Sequence, residues 1–370
     1  MFNLFELSGP YGLLLFLAGI VGIIASIRYL FRTTPISSVH AGKVHDGCKF
    51  DRAEVRRTSM LATPPIDLSN LPPPDARVVA ELAGVQIANV EKALKELTGE
   101  TNVTVGGKSV QITSRNTYHK NLDLAMAYLE EFYAGLGVKT TRVQYMQRGK
   151  KFYNLEAIFP GKVTPDKVIV IGAHLDSTAG DPWRLEAVAP GANDDGSGTV
   201  SLKEIAKVLV KLNLGNTVRL VHFTGEEQGL WGSYTYSDKL AEDKTRVIAM
   251  FEMDMVGHCH KPGNRLDIHD DLDRNGSHAL VVDLVRNVAR YGLQLNPVDT
   301  HNHAVHDRSD NAGFLDHGWK AVLISQEFSD DGWDPNYHSV NDRIASMNLP
   351  FMVETIKMVI ATVCDYAGIR

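Results

Sequence analysis

Cysteine is scarce in this chain: three in 370 residues, at Cys48, Cys259 and Cys364, far apart and without a CxxC pair. That excludes a disulfide framework and a thiolate metal site, and it leaves the redox compartment open. A basic stripe is lacking too. Thirty-eight Lys and Arg against 44 Asp and Glu leave a formal charge of −6, so nucleic acid is not an expected partner. No internal repeat is visible. The remaining composition is ordinary, 44% hydrophobic and 22% charged. This excludes global disorder and supports a large α/β domain with a short appendage, or two small domains.

One long apolar run is present, at the N-terminus. Leu7 to Ile27 carries no charge, and 21 residues at about 1.5 Å each match the ~30 Å hydrocarbon core of a bilayer. A cleaved signal peptide is the rival reading. Val39 and Ala41 resemble a cleavage site, but they lie far past the run, Arg28 and Arg32 intervene, and a basic n-region is missing. The expectation is an uncleaved single-pass anchor over residues 1–32, contacting the lipid bilayer. Arg28 and Arg32 alone would place the rest of the chain in the cytoplasm. Residues 33–74, with "TPPIDLSN" and "LPPPD", read as a proline-rich tether.

The folded domain is expected over 75–370. "DARVVAELAGVQIANVEKALKELTG" has helical spacing and closes on Gly99, and a second amphipathic helix covers Asn121 to Gly135. Then come short Val- and Ile-rich runs, "KVIVIGAH", "TVRLVHFTG", "RVIAMFEMD" and "AVLISQEF". Helical patterns separate them at Ser197–Leu212, Leu230–Leu240 and Gly276–Tyr291, and a last helix runs from Asn348 to Tyr366. This alternation predicts an α/β fold with a mostly parallel sheet covered on both faces.

Ligands in such sheets bind beyond the carboxyl ends of the strands, and reactive residues crowd those ends. In "GAHLDS", His174 and Asp176 share a face of an extended segment, where an aspartate can orient a metal-bound histidine. "PGANDDGSG" puts Asp194 and Asp195 at a helix start among glycines; a plain N-cap is the simpler reading, and a carboxylate bridging two cations is the other. Asp254 ends an apolar run and needs a partner if buried. His338 lies in the loop before the last helix. Together His174, Asp194, Glu227, Asp254 and His338 offer two imidazoles and three carboxylates, a nitrogen–oxygen set suited to zinc. Glu226 is left free to move a proton.

"HLDS", "PGANDDGSG", "TGEEQGLWGS", "FEMDMVG" and "YHSVND", in this order, resemble the M28 family of co-catalytic zinc peptidases, chiefly aminopeptidases. The resemblance covers roughly Asp75 to Arg370. It implies a three-layer α/β/α, phosphorylase/hydrolase-like fold and two Zn2+ ions held by His174, Asp194, Glu227, Asp254 and His338, with Asp194 bridging. It further implies Glu226 as general base, Asp176 as the carboxylate orienting His174, and an Asp194–Asp195 peptide bond that is often cis. His306 matches the place of a transition-state-stabilising side chain. The expected activity is removal of N-terminal residues from peptides, by a catalytic domain outside the cytoplasm.

Ser309, Asp310 and Asn311 depart from the family's usual "SDH". A carboxypeptidase on the same scaffold would need a cationic clamp, for which Arg308 or Arg343 are available. A glutaminyl cyclase and a metal-free binding module are the other readings. "DLDRNG" starts like a calcium loop, but Val282 stands where the closing glutamate belongs, so a helix-entry turn is expected. "HCH", at His258 to His260, reads as a loop.

Overall fold

The structure, a computed structural model, describes residues 65–370 apart from 261, 272–274, 301–304 and 330. The expected anchor and most of the tether therefore lie outside the described residues. Among the described residues no helix is long and apolar enough to cross a membrane.

In chain order the elements begin with α1 (Ala76–Leu82), α2 (Ile87–Leu97), the small hairpin β1 (Val103–Val105) and β2 (Lys108–Val110), and α3 (Asn121–Gly135). Next come β3 (Thr140–Gln147), β4 (Lys150–Phe159), β5 (Thr164–His174), α4 (Gly196–Leu209), β6 (Asn216–Phe223), α5 (Trp231–Glu242) and β7 (Arg246–Met253). The chain finishes with β8 (Arg265–His269), α6 (His278–Tyr291), β9 (Asn296–Thr300), α7 (Ala312–Asp316), β10 (Ala321–Ser325) and α8 (Leu349–Ala367).

β3 to β10 form one sheet in the order β3-β4-β6-β5-β7-β10-β8-β9. The parallel expectation holds at its centre, where β6, β5, β7 and β10 run together. It fails at the β3–β4 edge and where β8 meets β10, while β8 and β9 again run parallel. β3 and β4 form an antiparallel hairpin, β4 pairs antiparallel with β6, and β8 antiparallel with β10. The outer strands carry charged and polar residues among the apolar ones, a pattern with one covered face. The expected single helix from Asp75 to Gly99 is also corrected: it breaks between α1 and α2 at Gly84, the residue least suited to a helix interior.

Three layers follow from the pleat. Ile169, Ile171 and Ala173 of β5 join the larger apolar core with residues of α2, α4 and α8, while Val168 and Val170 join a second core with Tyr236, Leu240 and Phe314 of α5 and α7. Alternate residues face opposite sides of a strand, so this one apolar run binds both helical layers. A fully buried residue such as Phe251 contributes roughly 1.5–3 kcal/mol. Covering both faces leaves the strand ends as the place where polar chemistry can gather.

Candidate metal centre

His174, Glu226, Glu227 and Asp254 leave the central parallel strands at the same edge. His174 is the last residue of β5, Glu226 and Glu227 follow β6, and Asp254 follows β7. Asp194 precedes α4, whose N-cap is Asp195, with its carboxylate accepting from the Gly198 N–H at 2.8 Å. A Cβ at position 198 would overlap the Met253 carbonyl, so only glycine lets the helix start press against the end of β7. That approach brings Asp194 toward Asp254.

The side chains converge. His174 Nε2 lies 3.0 Å from Asp194 Oδ1 and 3.6 Å from Asp254 Oδ1. His338 Nε2 lies 2.9 Å from Asp194 Oδ2 and 3.1 Å from Glu227 Oε2. Asp194 thus turns one oxygen to each imidazole. The two glutamates diverge at the start of a turn: Glu227 is sealed beside His338, while the Glu226 side chain keeps 11% of its exposure and comes to 4.0 Å from His174 Nε2. The Asp194–Asp195 peptide bond is cis.

Two expectations fare differently. His174 Nδ1 meets the main-chain carbonyl of Asp176 at 3.0 Å, and the Asp176 carboxylate stands off at 3.8 Å. That carboxylate instead accepts from the Thr117 hydroxyl at 2.7 Å and the Glu226 N–H at 3.4 Å, tying down the glutamate loop. His306 is buried, and its carbonyl accepts from Asn311 Nδ2 at 2.6 Å. It belongs to none of the groups of potential metal-binding side chains found among the described residues.

The donor set fits a cation. Burial alone would lower the His174 imidazole's pKa, yet Glu226, Asp194 and Asp254 hold it well above the ordinary histidine value. Burial would raise Asp194, but hydrogen bonds to His174 and His338 hold it well below the usual carboxylate range. Asp254 Oδ1 is buried without a hydrogen bond, with the His174 imidazole at 3.6 Å, a state that a bound cation would relieve. Two imidazoles among three carboxylates form a set suited to zinc.

Support comes from residues that sequence reasoning left unassigned. Asp342 accepts from the N–H groups of Asn193 and Asp194 at 2.8 and 3.0 Å, and burial pushes its carboxyl up to about 7. Arg115, wholly buried, donates to the carbonyls of Leu175, Pro190 and Gly191. Glu252 and Asp310, buried near Asp254, are held above the usual carboxylate range, chiefly by burial. Asp342 stands in the quoted "YHSVND" and Arg115 in "ITSRNTYHKNLDLAMAYLEEF", but neither acquired a role from sequence alone.

The family model for peptidase family M28 matches residues 154–363, and the chain belongs to that family. Aminopeptidase Y of Saccharomyces cerevisiae is 29% identical over 213 residues, covering 55% of this chain and 37% of that protein. The LapA aminopeptidase of Legionella pneumophila superposes with a TM-score of 0.64 at 21% identity, over 83% of this chain and 78% of that one. The glutaminyl cyclase of Fimbriiglobus ruber gives 0.60 at 18% identity, over 75% and 95%. Both structures share the fold. The chain spans little more than a third of the yeast relative's length.

Proposed function

We propose that the protein is a zinc-dependent aminopeptidase that hydrolyses N-terminal residues from peptides. The observation that carries this reading is the Asp194 carboxylate between two imidazoles, 3.0 Å from His174 Nε2 and 2.9 Å from His338 Nε2, a placement suited to two ions. His174 and Asp254 would hold one zinc, Glu227 and His338 the other, and Asp194 both. Bound zinc supplies Lewis acidity, polarising a carbonyl and making water acidic near neutral pH. Glu226, close to His174 and partly open to solvent, takes the proton of the attacking water and returns it to the leaving amine. Asp176 holds the backbone of Glu226 in place. His306 is proposed to stabilise the developing oxyanion once substrate is bound. Residues 1–32 anchor the chain in a bilayer, with the peptidase domain outside the cytoplasm.

Incubating the zinc-loaded full chain with leucine p-nitroanilide and with an N-acetylated peptide tests the reaction. Release of nitroaniline with no attack on the blocked peptide is expected. Cleavage of the blocked peptide alone would assign a carboxypeptidase, and cyclisation of an N-terminal glutamine without hydrolysis would assign a glutaminyl cyclase. A chain that retains no zinc and gains no activity on zinc addition would be a binding module.

A further inference from the structure

Beside the metal centre lies a cleft of about 320 Å³ lined by Tyr118, Arg148, Lys150, Trp183, Leu185 and Trp231. We infer that this cleft holds the leaving-group side of the peptide substrate and that Arg148, with Lys150, binds a carboxylate on it. The inference rests on the reading that the scissile amide meets Glu226.

The cleft borders the centre through three short links. Tyr118 follows Thr117, whose hydroxyl donates to the Asp176 carboxylate at 2.7 Å. Trp231 ends the turn that begins at Glu226, its N–H donating to the Gly225 carbonyl at 2.9 Å. Gln228 Nε2 donates to the Pro182 carbonyl at 2.7 Å, which joins the glutamate turn to the loop carrying Trp183. On this inference, the residues one or two past the scissile bond lie against these rings.

The charges decide which end of the substrate enters. The Arg148 guanidinium lies 4.1 Å from the centroid of Trp183 and 5.6 Å from that of Trp231, and Lys150 Nζ lies 5.6 Å from that of Tyr118. Stacking on an aromatic face occupies the plane of a guanidinium and leaves its N–H edge to bind an anion. Two cations repel the free α-ammonium of a substrate and turn it away from the cleft. The peptide's N-terminus therefore lies at the metal centre and its acidic portion in the cleft. Trp183 at 36% exposure and Leu185 at 64% offer an apolar wall for the side chain of the leaving residue.

The hairpin gives Arg148 a fixed direction. β3 and β4 are joined by two residues, Arg148 and Gly149, with Gln147 paired to Lys150. Both have positive φ, 48° and 72°, the conformation of a type I′ turn, in which asparagine or glycine usually takes the first position. An arginine there is placed against backbone preference.

The turn also supplies a safe variant, since R148N restores a favoured turn residue. The test compares kcat/KM for Leu-Phe, Leu-Phe-amide and Leu-Glu-amide in the wild-type full chain and in R148N/K150Q. The expected ratio of Leu-Phe to Leu-Phe-amide is about 10 or more in the wild type, falling toward unity in the variant and with added salt. Equal use of acid and amide by the wild type, or a ratio unchanged in the variant, overturns the inference. An Arg148-dependent preference for Leu-Glu-amide over Leu-Phe-amide assigns the carboxylate to a side chain as well as to the C-terminus. Tryptophan fluorescence titrated with phenylalanine and phenylalaninamide gives a second reading that needs no turnover. Tighter binding of the acid, lost in R148N/K150Q, is expected, and equal binding of both refutes the subsite. A chain that cleaves none of the peptides yet shows this selectivity would refute the aminopeptidase and keep the subsite.

Discussion

Replacing Arg115 by methionine removes a fully buried guanidinium that holds together both sides of the metal centre. Its Nε donates to the Leu175 carbonyl at 2.8 Å, and its terminal nitrogens to Pro190 and Gly191 at 2.5 and 2.8 Å, with a longer contact to Leu97 at 3.4 Å. Leu175 lies between His174 and Asp176, and residues 190–191 lead into Asp194. Methionine fills most of the stem's volume, so the cavity cost is small. The buried carbonyls of Leu175 and Pro190 then lose their donors, at roughly 1–3 kcal/mol each, while that of Gly191 keeps the Gly196 N–H at 2.9 Å. The desolvation that lowers the guanidinium's pKa is relieved, but Asp342, Asp195, Asp194 and Asp176 lose a nearby positive charge. The net expectation is a loss of about 4 kcal/mol, a large share of a typical total of ~5–15 kcal/mol. Guanidinium chloride unfolding of wild type, Arg115→Met and Arg115→Lys measures it, with zinc content determined on the folded proteins. Lysine keeps the charge without the fork of donors and should fall between the two. A loss below about 1 kcal/mol for Arg115→Met would show that the loops hold their place without the guanidinium.

Three further outcomes are expected. Glu226→Gln should lower kcat by about 10²–10⁴ while zinc content and unfolding midpoint stay at wild-type values; retention of most turnover would move the proton transfer to another group. Chelation of zinc should destabilise the chain by about 4 kcal/mol relative to protein at a thousandfold excess of zinc over Kd, read as a drop in Tm, and coincident melts with and without metal would exclude a coupled site. Burial lowers the Lys203 ammonium to about 7, so between about pH 7 and 10 the unfolded chain binds a proton that the folded chain lacks. Stability should therefore rise with pH across that window, by up to ~1.4 kcal/mol per unit, and Lys203→Met should flatten the slope; a slope unchanged in the variant would assign it to other groups.

The central strands were legible because a run such as Val168–Ala173, apolar on both faces, has few stable settings besides the middle of a covered sheet. The β3–β4 hairpin was not, because Arg148-Gly149 lacks the usual turn residues at its first position and the flanking strands are rich in charge. The five proposed ligands and Glu226 were legible from type and order at strand exits, at one helix start and in the loop before the last helix. The partner of His174 Nδ1 was not: an extended HxD places carbonyl and carboxylate both within reach, and only the local backbone sends the carbonyl closer, 3.0 Å against 3.8 Å.

Sequence by itself determined the alternation of elements, the family, and which residue types meet at the sheet's edge, since these depend on periodicity and local spacing. Tertiary structure alone decided that Asp194 stands between two imidazoles, that Arg115 and Asp342 support the loop carrying it, and that a hairpin remote in sequence lays Arg148 across Trp183 and Trp231. Those relations join residues from 20 to 149 positions apart. Their geometry is set by packing and by the satisfaction of buried polar groups, and neither leaves a periodic trace in the chain.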